Sequence, residues 1–226
     1  MTIRHLAIAG HIGVGKSSLT QLLSRRYKMR PFHEPNHENP FLKRFYADMK
    51  TWAFRSQVFF LVNKFNAHQS LLGASAEPMI QDRTIYEDAE IFAAELSQSG
   101  CMSEAEWVTY TKLYEEFTRR LPAPDLMIYL RAEVGTLQDR IAKRGRREEQ
   151  EIPEEYLHRL HGRYERWFND YNRSRKVCVT VDEIDFVHKK EDQRQLIATI
   201  EAALSERLSP PASLPPPAPS GEWLRP

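Results

Sequence analysis

Hydrophobic positions along the 226-residue chain alternate between two patterns. Five short apolar runs begin at Ile3 (IRHLAIAG), Met29 (MRPFHEP), Glu77 (EPMIQDR), Asp125 (DLMIYLR) and Lys176 (KVCVTVD). Between them, apolar residues recur at helical spacing over residues 17–27, where Leu19, Leu22 and Leu23 share a face, and over 54–72, 87–96, 104–121, 134–144 and 153–171. A last helical stretch is expected over 191–208. Strands alternating with helices predict an α/β fold, a five-stranded parallel sheet with helices on both faces. Sites in such sheets gather beyond the carboxyl ends of the strands. The charged residues that close the runs, Glu34, Asp82, Arg83, Arg131 and Asp182, are therefore candidates for chemistry.

Composition narrows the class. Lys and Arg total 32 against 31 Asp and Glu, which speaks against a chain built to coat nucleic acid or an acidic membrane. The two cysteines, Cys101 and Cys178, have no metal-ligand spacing, so reducing cytosol is the expected compartment. No window approaches the roughly 18 apolar residues of a membrane span. The reading is one cytoplasmic domain over residues 1–208. The stretch 209–226, SPPASLPPPAPSGEWLRP, is expected to be a disordered Pro-rich tail.

The strongest local signal follows the first strand. Gly10, Gly15, Lys16 and Ser17 match G-x-x-x-x-G-K-[ST], the P-loop pattern, and the phosphate-binding segment runs through Gly10, His11, Ile12, Gly13, Val14, Gly15, Lys16, Ser17 and Ser18. Its backbone N–H groups wrap a phosphate, the helix start adds positive potential, Lys16 reaches the β- and γ-phosphates, and the Ser17 hydroxyl ligates Mg²⁺. A GTPase needs NKxD, but Asn63-Lys64-Phe65-Asn66 lacks the aspartate and no D-x-x-G is present.

Phosphoryl transfer to a hydroxyl needs a carboxylate near the attacking oxygen and cations over the transferred group. Glu34, directly after the second strand, is the candidate base. Asp82 ends the third strand, where an acid that orders Mg²⁺ belongs, with Arg83 beside it. In RIAKRGRREEQ, Arg140 and Arg144 lie four apart on one helix face and Arg146 follows Gly145, the composition of an arginine-rich lid.

With these residues in place the chain resembles the deoxynucleoside kinase family, in particular the bacterial deoxyadenosine/deoxyguanosine kinases. The resemblance runs from Ile3 to about Leu204 through GHIGVGKSS, HEP at His33, FRSQ at Phe54, DRTIYEDAEIFA at Asp82, RIAKRGRREEQ with IPEEYL after it, and VDEIDF at Val181. It implies a P-loop kinase-type fold that transfers the γ-phosphoryl group of ATP, with Mg²⁺, to the 5′-hydroxyl of a deoxynucleoside. By the same resemblance Glu34 is the general base, Arg83 contacts the same hydroxyl, and Asp82 sits near Mg²⁺. Gln57 pairs with the nucleobase, Phe92 stacks on it, and Tyr46 and Glu149 bind the sugar 3′-hydroxyl. Arg140, Arg144 and Arg146 form the lid, and Asp185 and Phe186 border the donor adenine. Asp88 resembles the aspartate that supports recognition of purines or deoxycytidine; its cationic partner, an arginine in several relatives, corresponds to Lys64 here. Phe60 stands where bulk influences which base fits. The aromatic that follows the base glutamate in the animal enzymes is absent from HEPNHENPF, which favours the bacterial purine-type subgroup.

The resemblance also implies a homodimer packed through helices, with the aromatic-rich 54–72 helix as a candidate surface. Two rivals are a nucleoside monophosphate kinase of thymidylate kinase type, which needs a basic site for the acceptor's own phosphate, and a non-catalytic nucleotide-binding regulator, which need not keep base and lid.

Overall fold

The computed structural model of the chain describes residues 3–73, 76–146 and 149–205. The stretch 209–226, expected to be a tail, lies outside them. Five strands form one parallel sheet in the order β2-β3-β1-β4-β5. They are β1 (His5–Gly10), β2 (Arg30–Phe32), β3 (Met79–Asp82), β4 (Leu126–Arg131) and β5 (Arg175–Thr180). The chain winds first to one side of β1 and then to the other, so β1 ends where the winding reverses, the place where open α/β sheets bind ligands. Pro31 is tolerated because β2 is an edge strand.

Period-two alternation sorts the strand residues between two cores. Leu6, Ile8, Leu126, Ile128 and Leu130 join an aliphatic cluster with Leu19 and Leu23 of α1 (Lys16–Tyr27) and Ile197 of α9 (Lys190–Ser205). Ala7, Ala9, Met127 and Tyr129 face the other way, into an aromatic-rich cluster. That side is built from α3 (Met49–Gln69), α6 (Glu104–Thr118) and α8 (Glu154–Asp170). Helix α7 (Val134–Arg144) coincides with the sequence expectation and touches both cores through Leu137 and Ile141.

Three local features differ from the pattern reading. Helix α3 starts at Met49 rather than near residue 54, because the Asp48 side chain caps it by accepting from Thr51 N at 3.1 Å. A four-residue helix, α2 (Leu42–Phe45), precedes it and carries too few residues to show a period. The helix expected over 87–96 is split into α4 (Ile85–Glu87), a π-helical turn over Asp88–Ala93, and α5 (Ala94–Gln98). The wider turn changes which side chains stack, and π turns concentrate at functional sites.

Candidate active site

The phosphate loop depends on glycine at its first position. Gly10 has φ +146°, and a Cβ there would sit 2.7 Å from the carbonyl oxygen of Leu130. Its N–H donates to Glu87 Oε1 at 3.1 Å, and Glu87 also accepts from the Tyr164 hydroxyl at 3.0 Å. Glu87 and Thr84 form a capping box at the start of α4. Burial pushes the Glu87 carboxyl up despite Arg83 and Lys16 nearby. The Lys16 ammonium donates to the His11 carbonyl oxygen at 2.9 Å; burial, then Arg83, bring its pKa down to about 8.

The Ser17 hydroxyl donates to Asp82 Oδ2 at 2.5 Å, while Asp82 Oδ1 is buried with no hydrogen-bond partner in the protein. A hydroxyl and a carboxylate with a spare oxygen suit a hard cation that also takes substrate phosphate and water. Among the described residues, no group of three or more His, Cys, Asp or Glu side chains could hold a metal by itself.

Just past β3, Arg83 adopts φ +63°, a strained backbone for a side chain of this size, fixed by its N–H bond to the Ile8 carbonyl at 3.0 Å. That geometry sends its guanidinium over the Phe92 ring, 4.2 Å from the centroid, and brings Nε to 2.9 Å from Glu34 Oε1. Lys64 Nζ donates to the same Glu34 oxygen at 3.1 Å and to Asp88 Oδ1 at 2.5 Å. Burial alone would raise the Glu34 pKa; Arg83, Lys64 and Lys16 together override it and hold it at about 2. Asp88 goes the other way, pushed up to about 6 by burial against the pull of Lys64.

The same cleft is lined by Gln57, Phe60 and Phe92, all buried, and by Tyr46 and Glu149. Two buried acceptors, Gln57 Oε1 and Asp88 Oδ2, lack partners in the protein. Burial, then the negative charges of Glu34 and Glu149, push the Tyr46 phenol up. Glu149 pairs with Arg144 and, at 3.3 Å, with Arg146.

A second cleft shares Gly13, Lys16, Ser17 and Arg144 with the first, so the two meet at the phosphate loop. Asp185 and Phe186 line it. Phe186 is also a core residue: a Cβ on Gly15 would come 3.0 Å from its ring. Asp185 is tied into its turn, accepting from His188 N at 3.1 Å. Arg140 donates to the carbonyl oxygens of Val14 at 3.2 Å and Val181 at 2.5 Å, linking the loop to the end of β5.

The structure thus brings the sequence candidates to one end of the sheet; of the strand-end charges, Arg131 lines neither of the two clefts, and Asp182 lines the second. Arg131 pairs with Glu165 at 2.6 Å, and Asp182 ties the start of α7 to the end of β5, accepting from Glu133 N at 2.9 Å and Thr136 Oγ1 at 2.7 Å. Pattern reading missed Glu87, although the spacing Thr84–Glu87 is a capping-box signature. It also missed the tie between Lys64 and Glu34. The available signal was a lysine on the buried α3 stripe of Ala53, Gln57, Phe60, Leu61 and Ala67.

The family model for deoxynucleoside kinases matches residues 6–205. The deoxyadenosine/deoxycytidine kinase of Bacillus subtilis (strain 168) is 32% identical over 203 residues, covering 89% of this chain and 93% of that protein. A deoxyguanosine kinase of Lactobacillus johnsonii is 35% identical over 210 residues, covering 89% and 92%. The solved structure of deoxyadenosine kinase from M. mycoides with bound dCTP superposes with a TM-score of 0.74 at 27% identity, covering 88% of this chain and 99% of that one. With five parallel strands, a glycine-built phosphate loop and an acid-and-base cleft opposite it, the chain belongs to the deoxynucleoside kinase family and is an ATP-dependent phosphotransferase.

Proposed function

We propose that the acceptor is a deoxynucleoside whose base carries an amine where guanine and thymine carry an oxo group, the adenine 6- or cytosine 4-position, deoxyadenosine foremost, and that Glu34 is the general base. The carrying observation is the pair of partnerless buried acceptors, Gln57 Oε1 and Asp88 Oδ2, in the cleft that also holds Glu34. A buried acceptor without a donor costs about 1–3 kcal/mol, which a ligand that supplies donors recovers. The 6-amino group of adenine offers two N–H donors, and the 4-amino group of cytosine offers the same. At that position guanine O6 and thymine O4 would meet the acceptors lone pair to lone pair.

In this reading Glu34 takes the proton of the 5′-hydroxyl as its oxygen attacks the γ-phosphorus, and Arg83 orients both groups. Phe92, under the Arg83 guanidinium, and Phe60 sandwich the base, while Tyr46 and Glu149 take the 3′-hydroxyl. Lys16 moves from the His11 carbonyl to the β- and γ-phosphates, and Arg144 and Arg146 move from Glu149 to the transferred group. Arg140 braces the phosphate loop beside the donor, whose base lies by Asp185 and Phe186. Ser17 and Asp82 would hold Mg²⁺, which when bound supplies divalent charge to the β- and γ-phosphate oxygens. A monophosphate acceptor is disfavoured, because its dianion would face Glu34 and Asp88.

The homodimer is part of the proposal. Phe65 of α3 stacks on Phe117 of α6 at 4.1 Å between centroids, no more than a helix turn from the exposed Val62. The free thiols of Cys101 and Cys178 suit a reducing cytoplasm, and among the described residues no helix is long and apolar enough to cross a membrane.

The test is ADP release with ATP against all four deoxynucleosides and their monophosphates. Deoxyadenosine should give the highest kcat/KM, deoxycytidine the next, and the monophosphates none. Preference for thymidine, deoxyguanosine or any monophosphate overturns the assignment.

A further inference from the structure

Lys64 carries its charge where no solvent reaches: its side chain is 0% exposed. It follows Gln57 by two helical turns on the same buried face of α3. An ammonium has three N–H donors. One goes to Asp88 and one to Glu34, and the Phe60 ring lies 5.5 Å from the nitrogen. The two acids belong to different elements, the loop after β2 and the first residue of the π turn. In the reading above they also face different parts of the substrate, the base and the 5′-hydroxyl.

One point charge cannot be given in full to two carboxylates. Asp88 is the variable member, since burial keeps its carboxyl near half-protonation around pH 6. A base amine that donates to the free Oδ2 stabilises the ionised form. Ionised Asp88 then attracts the ammonium more strongly and loosens its hold on Glu34 Oε1, which is left to Arg83 and the incoming hydroxyl. A lysine suits this sharing because its charge is compact and pivots, whereas the planar fork of arginine locks onto one carboxylate.

We propose that Lys64 is a positioning residue that couples recognition of the base amine to catalysis, shifting its charge from Glu34 toward Asp88 when the amine is bound. The proposal rests on the roles given above to Glu34 and Asp88. It makes the amine matter for turnover and not only for binding.

The experiment compares deoxyadenosine with purine 2′-deoxyriboside, the same nucleoside without its 6-amino group, in the full-length wild type, Lys64→Met, Lys64→Arg and Glu34→Gln. In the wild type, loss of the amine should lower kcat about tenfold in addition to raising KM, the scale of one hydrogen bond to a charged group. In Lys64→Met the kcat ratio of the two substrates should fall to near one, while the KM ratio persists through Gln57. In Lys64→Arg, whose planar fork stays on one carboxylate, the kcat ratio should also fall toward one, with a smaller loss of turnover than in Lys64→Met. Lys64→Gln makes the same test if the methionine variant does not fold. A lysine that merely neutralises buried acids would lower kcat for both substrates equally, and an unchanged ratio in the neutral variants overturns the coupling. Near-normal turnover in Glu34→Gln overturns the base assignment beneath it instead, so the two failures are distinct.

Discussion

Replacing Glu34 by glutamine isolates proton abstraction from shape. The amide keeps the volume and one acceptor oxygen, so the 5′-hydroxyl still has a partner in the ground state, but the amide cannot take its proton. General-base catalysis contributes about 10²–10⁴-fold in enzymes, most when the base titrates near the working pH. Arg83, Lys64 and Lys16 hold Glu34 at about 2, far below neutrality, which makes it a weak base. Its contribution should therefore lie at the low end, about 10²-fold in kcat, or roughly 2.7 kcal/mol of transition-state stabilisation.

The substitution also removes a charge from a buried array. Breaking an isolated buried pair costs about 3–5 kcal/mol. The cost here should be smaller, because Lys64 keeps Asp88 and the Glu34 side chain is 15% exposed. For a domain of this size each kcal/mol lowers Tm by about 2–4 °C. Kinetics of ADP release should be measured well below the melting transition, with the folded fraction followed by circular dichroism. The expected signature is a kcat loss of about two orders of magnitude with KM nearly unchanged. A folded variant within about threefold of wild-type kcat would refute the reasoning.

Gln57→Leu keeps the bulk of the side chain and removes its amide; KM for deoxyadenosine should rise about tenfold, checked by initial rates across substrate concentration. Gly10→Ala places a Cβ 2.7 Å from the Leu130 carbonyl at φ +146°, and a Tm decrease of several degrees is expected, whereas an unchanged Tm would show that the loop relaxes at no cost. Three buried histidines set an acid limit on stability. Burial lowers His68 from 6.5 to about 4 and His11 to about 3, and brings His5 well below its usual range. The unfolded chain takes up those protons first as pH falls below 6.5, so stability should drop between about pH 6.5 and 4, by up to about 1.4 kcal/mol per pH unit per histidine. Urea titrations across that window should show a shallower slope for His68→Gln than for wild type. Deleting residues 209–226 should leave kcat/KM unchanged, since the family match ends at residue 205.

The parts of the site that were legible in the sequence are those whose chemistry is carried by near neighbours. The phosphate loop needs its glycines, lysine and serine within eight positions, and the strand ends at Glu34 and Asp82 follow from apolar runs of fixed length. The strand order was not legible, because parallel pairing joins segments through helices and leaves no local mark. The π turn was hidden for a related reason: Asp88 to Ala93 reads as ordinary helix until packing fixes the wider turn. The least legible feature was the Lys64 array, whose partners lie 30 and 24 residues away. A buried stripe predicts an apolar residue at that position, and only two carboxylates arriving from elsewhere make a lysine stable there.

The phosphate-directed donors of the cleft each rest on a protein acceptor. Lys16 is on a carbonyl oxygen, Ser17 is on Asp82, and Arg144 and Arg146 are both on Glu149. These resting bonds differ in strength. A single carbonyl holds the Lys16 ammonium by about 1.5–3 kcal/mol net, and the two arginines, with side chains 34% exposed, are in partly screened ion pairs. A triphosphate offers several anionic oxygens at once and matches the arginine forks in two-bond geometry, so it can collect all three cations. Their departure would free the Glu149 carboxylate, which lines the first cleft together with Tyr46. In the proposed reading, donor binding would thus free an acceptor for the 3′-hydroxyl and link the two clefts through Glu149 as well as through the loop they share.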